Sequence, residues 1–337
     1  MESTLVSELV TRNPATGDVV ARAAATAPES VGPVVERAKA AQALWSRTPW
    51  KERRRVLDRW RGILNRDADA WADCILREIG KPRVEALAGD LIPTLDAIKW
   101  SARHGRAAMR DERFGPSWQR LMLIGAARVR WMPVGVVGMI GTWNYPLFLN
   151  AVPIAQALAA GCAVVWKPSE LAIACGLKLQ ESLEEAGVPP GLVGFVVGDG
   201  EVGRALVEAP IDKLVFTGSV ETGRRVLALA SARGVPAVAE LSGYDAAVVM
   251  PDASPEQAVP ALLWSAFVGC GQTCVAVKRI YIVRDPEPWI RAFREAASQL
   301  QVGDPSRPDV DVGPLISARA RERFHQTILD AAAAGAE

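Results

Sequence analysis

Apolar positions three and four apart, set among Ala, Leu, Arg and Glu, predict helices across residues 29–110. From about Arg128 the pattern changes. "RVRWMPVGVVGMIG" is β-rich, "FLNAVPIAQALAAG" is helical and ends at Gly161, and "AVVWKPSE" is a buried strand running into a Pro-containing loop. "AIACGLKLQESLEEAG" is a helix ending at Gly187, "GLVGFVVG" a strand, "EVGRALVEAP" a helix and "KLVFTGS" a strand. "VETGRRVLALASARG" and "AVAELSG" add a last helix and strand. Short apolar strands alternating with helices of this length predict an α/β fold, a parallel sheet covered on both faces.

Ligands in such sheets bind outside the carboxyl ends of the strands. The loops there carry Thr142-Trp143-Asn144-Tyr145-Pro146, Lys167-Pro168-Ser169-Glu170, Thr217-Gly218-Ser219 and Glu240-Leu241-Ser242-Gly243. Singly, Asn144 reads as a turn or cap, Lys167 as surface and Glu240 as solvated. Together, upstream of a cysteine in a glycine-rich loop, they form a candidate site. The stretch from Gly218 to Gly223 is not the G-x-G-x-x-G fingerprint, yet it can present a helix N-terminus to a phosphate. Lys167 and Glu170 add a cation and a carboxylate suited to a nucleotide ribose.

The cysteine in question is Cys274, in "GCGQTCVAVKR". Cys162, in "AAGCAVVW", sits among apolar residues as a core cysteine does, whereas Cys274 ends a loop where the chain can approach a ligand closely. The alternative is a small hydrophobe at the start of a strand.

Composition narrows the function classes. The 337 residues are 50% hydrophobic and 23% charged, enough for a large core and for two domains. Net charge is +1, which points to neither nucleic acid nor an anionic membrane. Arg/Glu-rich runs such as "KERRRVLDRWRGILNRDADAWAD" mix signs at helical spacing and read as solvated helix faces. No apolar run approaches the ~20 residues of a membrane span, and the N-terminus lacks the pattern of a signal peptide. Five scattered cysteines suit a reducing cytosol, and a cytoplasmic location is expected. With only His104 and His325 available, zinc is not expected at Cys270 and Cys274, and neither histidine lies near a nucleophile-elbow pattern.

The ordered motifs "NPATGDVV", "PVGVVGMIGTWNYP", "KPSE", "FTGSVETG", "ELSG", "GQTC", "VGDP" and "DVGPLIS" resemble those of the aldehyde dehydrogenase superfamily from Asn13 to the chain end. Glu240 and Cys274 stand 34 residues apart, as family members place them. The wording of "GTWNYP" and "GQTCVA" is closest to the class 3 branch. The resemblance implies a Rossmann-like parallel-sheet cofactor domain, residues 1–243, and the N-terminal part of a second α/β catalytic domain, residues 244–337. It implies oxidation of an aldehyde to the acid with reduction of NAD, NADP being possible. Cys274 is the implied nucleophile, and Asn144 with the Cys274 backbone N–H the oxyanion donors, each worth on the order of 3–4 kcal/mol in known oxyanion holes. Glu240 is the implied base for thioester hydrolysis, a task suited to a carboxylate whose pKa burial has raised. Lys167, Glu170, Gly218, Ser219, Trp143 and Leu241 are the implied cofactor contacts, with Glu170 expected to disfavour a 2′-phosphate. Tyr145, Phe148, Val268 and Thr273 are expected to line an aldehyde tunnel. A homo-oligomer is expected of the full-length form.

Three features depart from the family pattern. "ELSGYDA" replaces the usual "ELGGKSP", which puts Ser242 at a glycine position, and Gly269 stands where many members have asparagine. The chain stops at "AAAAGAE" without the family's E-x-F-G-P motif. An incomplete second domain of about 94 residues is therefore expected, and residues 1–337 alone are expected not to turn over aldehyde. Two alternatives stay open: a catalytically incompetent remnant retaining a nucleotide-binding fold, and a thioester-forming or esterase activity without hydride transfer.

Overall fold

The computed structural model describes residues 8–114, 118, 122 and 127–336. An antiparallel hairpin opens it, β1 (Glu8–Arg12) with β2 (Val19–Ala24). Asn13 Oδ1 accepts the N–H of Ala15 at 2.8 Å and Gly17 takes φ 81°, so "NPATGD" encodes the turn. Helices Val31–Trp45, Trp50–Arg66, Ala68–Ile79 and Ile92–Ala108 follow, broken by Gly80-Lys81-Pro82 and by a π-helical stretch, Ala86–Leu91. The helical expectation for 29–110 therefore holds apart from these breaks, whereas the opening hairpin lies in residues assigned no element from sequence. A second antiparallel pair, β3 (Glu112–Phe114) and β4 (Ala127–Val129), comes next.

The main sheet contains β5 (Val136–Ile140), β6 (Ala163–Lys167), β7 (Val193–Phe195), β8 (Lys213–Gly218) and β9 (Ala237–Leu241), ordered β7-β6-β5-β8-β9 and parallel throughout. Both β5 and β6 are buried along their whole length, which is why they read as continuous apolar runs. Helices Phe148–Ala160, Ile173–Glu185, Gly200–Glu208 and Val220–Ala232 connect the strands, with left-handed glycines closing the first at Gly161 and following the second at Gly187. The chain winds outward from β5 to β7, then returns to the other side of β5 for β8 and β9. Order reverses between β5 and β8, where a crevice opens in such sheets.

Beyond β9 lies a parallel pair, β10 (Asp245–Val249) and β11 (Val277–Ile282), with helices Pro255–Phe267 and Glu287–Ser298. Val249, Val259 and Trp289 form a small core there, separate from the large core around the main sheet. Helix Ala318–Ala333 is the last element.

One buried amide ties the main sheet to the loop that follows β5. Asn150 Nδ2 donates to Thr142 O at 3.2 Å and to Pro146 O at 2.7 Å, closing that loop from behind. A Cβ on Gly141 would lie 1.9 Å from Asn150 Oδ1, so the strand end must be glycine for the clamp to fit. Asn150→Ala leaves two buried carbonyls without a donor and should lower unfolding free energy by roughly 1–3 kcal/mol in urea denaturation. An unchanged midpoint would show that the clamp contributes nothing.

Candidate active site

The predicted strand-end residues share one edge of the main sheet. Lys167 ends β6, opposite Ile140 of β5; Gly218 ends β8, opposite Leu241 of β9; and Thr217 pairs with Glu240. The loop Thr142–Tyr145 leaves the end of β5 between them.

That loop reaches the cysteine segment directly. Thr142 Oγ1 donates to Asn144 Oδ1 at 3.1 Å, which fixes the amide, and Asn144 Nδ2 donates to Gln272 O at 2.9 Å. The amide has two N–H groups and this bond uses one. Tyr145 OH and Thr273 Oγ1 are 2.9 Å apart. Thr273 Oγ1 gives its single hydrogen to Val268 O at 3.2 Å, so Tyr145 is the donor of that pair.

The cysteine segment is a tight coil. Gly269, Cys270 and Gly271 are consecutively left-handed at φ 61°, 56° and 70°. Cys270 is the one non-glycine residue with positive φ among the described residues, a conformation that a side chain adopts at a cost. Several bonds hold it there. Glu85 Oε2 accepts the Gly269 N–H at 3.0 Å, Gly269 O accepts from Gln272 N at 3.0 Å, and Gln272 Oε1 accepts the Ile316 N–H at 3.0 Å. Cys274 follows, half-buried, in a turn before β11. A Cβ on Gly243 would lie 2.5 Å from the Cys274 carbonyl oxygen. The glycine of "ELSG" therefore lets the chain leaving Glu240 pass against Cys274.

Three buried charges on the earlier helical region support this arrangement, and sequence reasoning missed them. Lys81 Nζ pairs with Asp90 Oδ2 at 2.8 Å, both side chains being almost wholly buried, and stands 3.4 Å from the centroid of the Tyr145 ring. Asp90 Oδ1 accepts the N–H groups of Leu147 and Phe148, each at 3.2 Å, and so caps helix Phe148–Ala160. Glu85 is buried beneath Gly269. The available signal was the helix-breaking Gly80-Lys81-Pro82, since charges beside such a break do not belong to a continuous solvated face.

Burial sets the protonation of these groups. Desolvation pushes the Tyr145 hydroxyl up, opposed by its Thr273 bond and reinforced by nearby Asp90 and Glu85, so Tyr145 keeps its proton as donor. Desolvation likewise raises Glu85, opposed by the Gly269 N–H and by Lys81. The Cys270 thiol is raised by its burial and then by Glu85, which keeps it protonated at neutral pH.

Among the cofactor candidates, Lys167 is buried and donates to Pro168 O at 2.8 Å and to Gly198 O at 2.7 Å. Its pKa is lowered by burial and supported by Glu170, half exposed at 3.7 Å, and by Asp199. Ser219 Oγ caps helix Val220–Ala232 by accepting the Thr222 N–H at 3.2 Å. Trp143 and Leu241 pack partly buried against the main core, and a Cβ on Gly223 would meet Leu241 at 2.3 Å.

One expectation is corrected by this geometry. Glu240 is exposed rather than buried, because its side chain leaves the outer strand β9 on a face that no described element covers. Tyr145 and Thr273, expected to line a tunnel, stand side by side at the cysteine segment. Their hydroxyls are bonded to each other, and beside Thr273 a cavity of about 10 Å³, the scale of a single water, is lined by Asn144 and Cys270.

A doubly wound parallel sheet with a carboxamide and a cysteine loop gathered at its strand-end crevice defines the class as α/β, with a loop-borne cysteine beside the strand ends. The chain belongs to the aldehyde dehydrogenase family, whose model matches residues 2–337. It is 34% identical over 332 residues to betaine aldehyde dehydrogenase 2 of Rhizobium meliloti (strain 1021), covering 98% of this chain and 67% of that protein. It is 35% identical over 331 residues to the mitochondrial succinate-semialdehyde dehydrogenase of Arabidopsis thaliana, covering 96% and 61%. The solved structure of a Mycobacterium tuberculosis aldehyde dehydrogenase complexed with NAD+ superposes at a TM-score of 0.94 with 32% identity, over 100% of this chain and 69% of that one. The chain thus spans about three fifths to two thirds of the length of these curated relatives. No helix among the described residues is long and apolar enough to cross a membrane.

Glu85 supplies a pH test of the site. Its carboxyl binds a proton more tightly folded than unfolded, so the folded state loses stability as pH rises through the unfolded value towards the folded one. Glu85→Gln keeps an acceptor for Gly269 and removes the titration. The variant should gain in melting temperature relative to the parent as pH rises above the ordinary carboxylate range, about pH 4. A difference constant with pH would refute the assigned shift.

Proposed function

We propose that this chain carries the cofactor-binding and thiol portion of an aldehyde dehydrogenase that oxidises an aldehyde to its acid with NAD or NADP. The observation supporting it is the Asn144–Gln272 bond, which joins an amide donor to the loop of Cys274 across 128 residues of sequence. In this reading residues 1–243 are the cofactor domain and residues 244–337 belong to the catalytic domain.

The residues present fit a dinucleotide in part. Lys167 retains a third N–H beyond the two it gives to carbonyls, with Glu170 beside it. The capped helix after Ser219 offers first-turn amides without intrahelical partners. The Cys274 thiolate attacks the aldehyde carbon, while the second N–H of Asn144 and the Cys274 backbone N–H stabilise the oxyanion of the thiohemiacetal. NAD or NADP, when bound, would supply the hydride acceptor, and Cys274 would carry the resulting acyl group as a thioester. Glu240, exposed beside the turn that packs on Cys274, takes a proton from the water that hydrolyses the thioester. The acid leaves and the thiol is restored.

The thiol assignment is checked with substoichiometric iodoacetamide and peptide mapping. Cys274 should be labelled ahead of Cys270, whose thiol is held protonated. Preferential labelling of any other cysteine would sink the assignment. In a chain that supports turnover, Glu240→Gln should preserve a burst of reduced cofactor and slow the steady state. Loss of the burst would instead make Glu240 an activator of the thiol.

A further inference from the structure

We infer that Cys74 and Cys175 form a dithiol site, separate from the cysteine loop, that a peroxide converts to an internal disulfide. Their sulfurs lie 3.5 Å apart, although the residues are 101 positions apart in the chain. Cys74 projects from helix Ala68–Ile79, and Cys175 lies in the first turn of helix Ile173–Glu185. Both are free, Cys74 half-buried and Cys175 buried. Closing the gap to a disulfide of about 2.05 Å needs a movement of about 1.5 Å, within the reach of side-chain torsions. The two thiols play no part in the proposed chemistry at Cys274, so this inference stands independently of that reading.

Glu78 lies beside the pair, and together the three offer ligand atoms within 4.8 Å of one another. A metal is the less suitable occupant. Glu78 Oε1 accepts from Thr11 Oγ1 at 2.6 Å and from Ala174 N at 2.7 Å, and Oε2 accepts from Cys175 N at 2.8 Å. Both oxygens are thereby committed to holding β1 and the start of helix Ile173–Glu185. Two thiols alone fall short of the four ligands of a closed tetrahedral site.

The two cysteines divide the chemistry unequally. Burial, with Cys74 and Glu78 adding to it, holds the Cys175 thiol protonated well above the ordinary range. Cys74, reachable from solvent, makes the first attack. Its thiolate sulfur takes an oxygen from the peroxide, the O–O bond breaks, and the departing alkoxide or hydroxide takes a proton, leaving a sulfenic acid. Cys175 sulfur then attacks Cys74 sulfur. The S–O bond breaks, the thiol proton leaves with the hydroxyl as water, and the disulfide remains. Two thiols lose two electrons and the peroxide gains them. The bond links helix Ala68–Ile79 to the helix that follows the Lys167–Glu170 loop, without consuming Cys274.

The test uses the reduced full chain with one equivalent of hydrogen peroxide, quenched with N-ethylmaleimide and digested without reductant. The expected product is a linked peptide pair carrying Cys74 and Cys175, released by dithiothreitol. In a C270S/C274S background, three of the five cysteines remain, and thiols titrated in denaturant should fall from three to one. Adding Cys74→Ser should hold the remaining two thiols at two. Cys74 found unmodified, over-oxidised without linkage, or joined to another cysteine would overturn the site. So would one equivalent of zinc, retained on dialysis, that shields both thiols from maleimide, since the pair would then be a metal site.

Discussion

The buried ion pair between Lys81 and Asp90 is the constraint on which the candidate site depends. Two charges removed from water are tolerated only when their remaining bonding capacity is also met. Here Asp90 spends one oxygen on Lys81 and the other on two amides at the start of helix Phe148–Ala160. Lys81 in turn sets its ammonium against the Tyr145 ring, an arrangement favoured when the cation is desolvated. One pair thus joins the broken helical region, the loop after β5 and, through Tyr145 and Thr273, the residue preceding Cys274. Loss of either partner strands a buried charge, with a typical cost of about 3–5 kcal/mol.

Around that anchor, close approach of backbone decides what can stand where. Gly141 and Gly243 leave no room for a Cβ, one against Asn150 and the other against the Cys274 carbonyl. The first lets the loop after β5 turn towards the cysteine segment, and the second lets the chain from β9 pass beside it. The Ser242 departure falls between Leu241 and Gly243, where the side chain is exposed and meets neither constraint. Glycine at 269 has its own reason, because the coil is left-handed there and its N–H is held by Glu85.

Much of the main sheet was legible because a parallel strand buried on both faces must be apolar throughout, as Val136–Ile140 and Ala163–Lys167 are. Glycine stops at 161 and 187 marked helix ends for the same local reason. The strand-end residues were legible as a set, since the doubly wound pattern says which ends gather. The supporting charges were not. Lys81, Glu85 and Asp90 owe their burial to segments 57 to 184 residues away, and a local pattern carries no trace of that. Glu240 failed for a related reason, because its burial depends on what covers β9 and not on the apolar run that precedes it.

The two cysteines of the loop show how the same constraints separate chemistry from structure. Cys270 sits between two glycines in a left-handed coil, where its burial near Glu85 suppresses the thiolate. Cys274 lies beyond the coil, half-buried, with an amide donor brought within two residues by Asn144. A nucleophile needs access and a stabilised oxyanion more than it needs packing. Both cysteines are half-buried, so what separates them is the raised Cys270 thiol and the Asn144 bond two residues before Cys274. The left-handed turn acts as a spacer, its conformational cost met by Glu85 and Gln272, that carries the chain from the helical support to the turn containing Cys274.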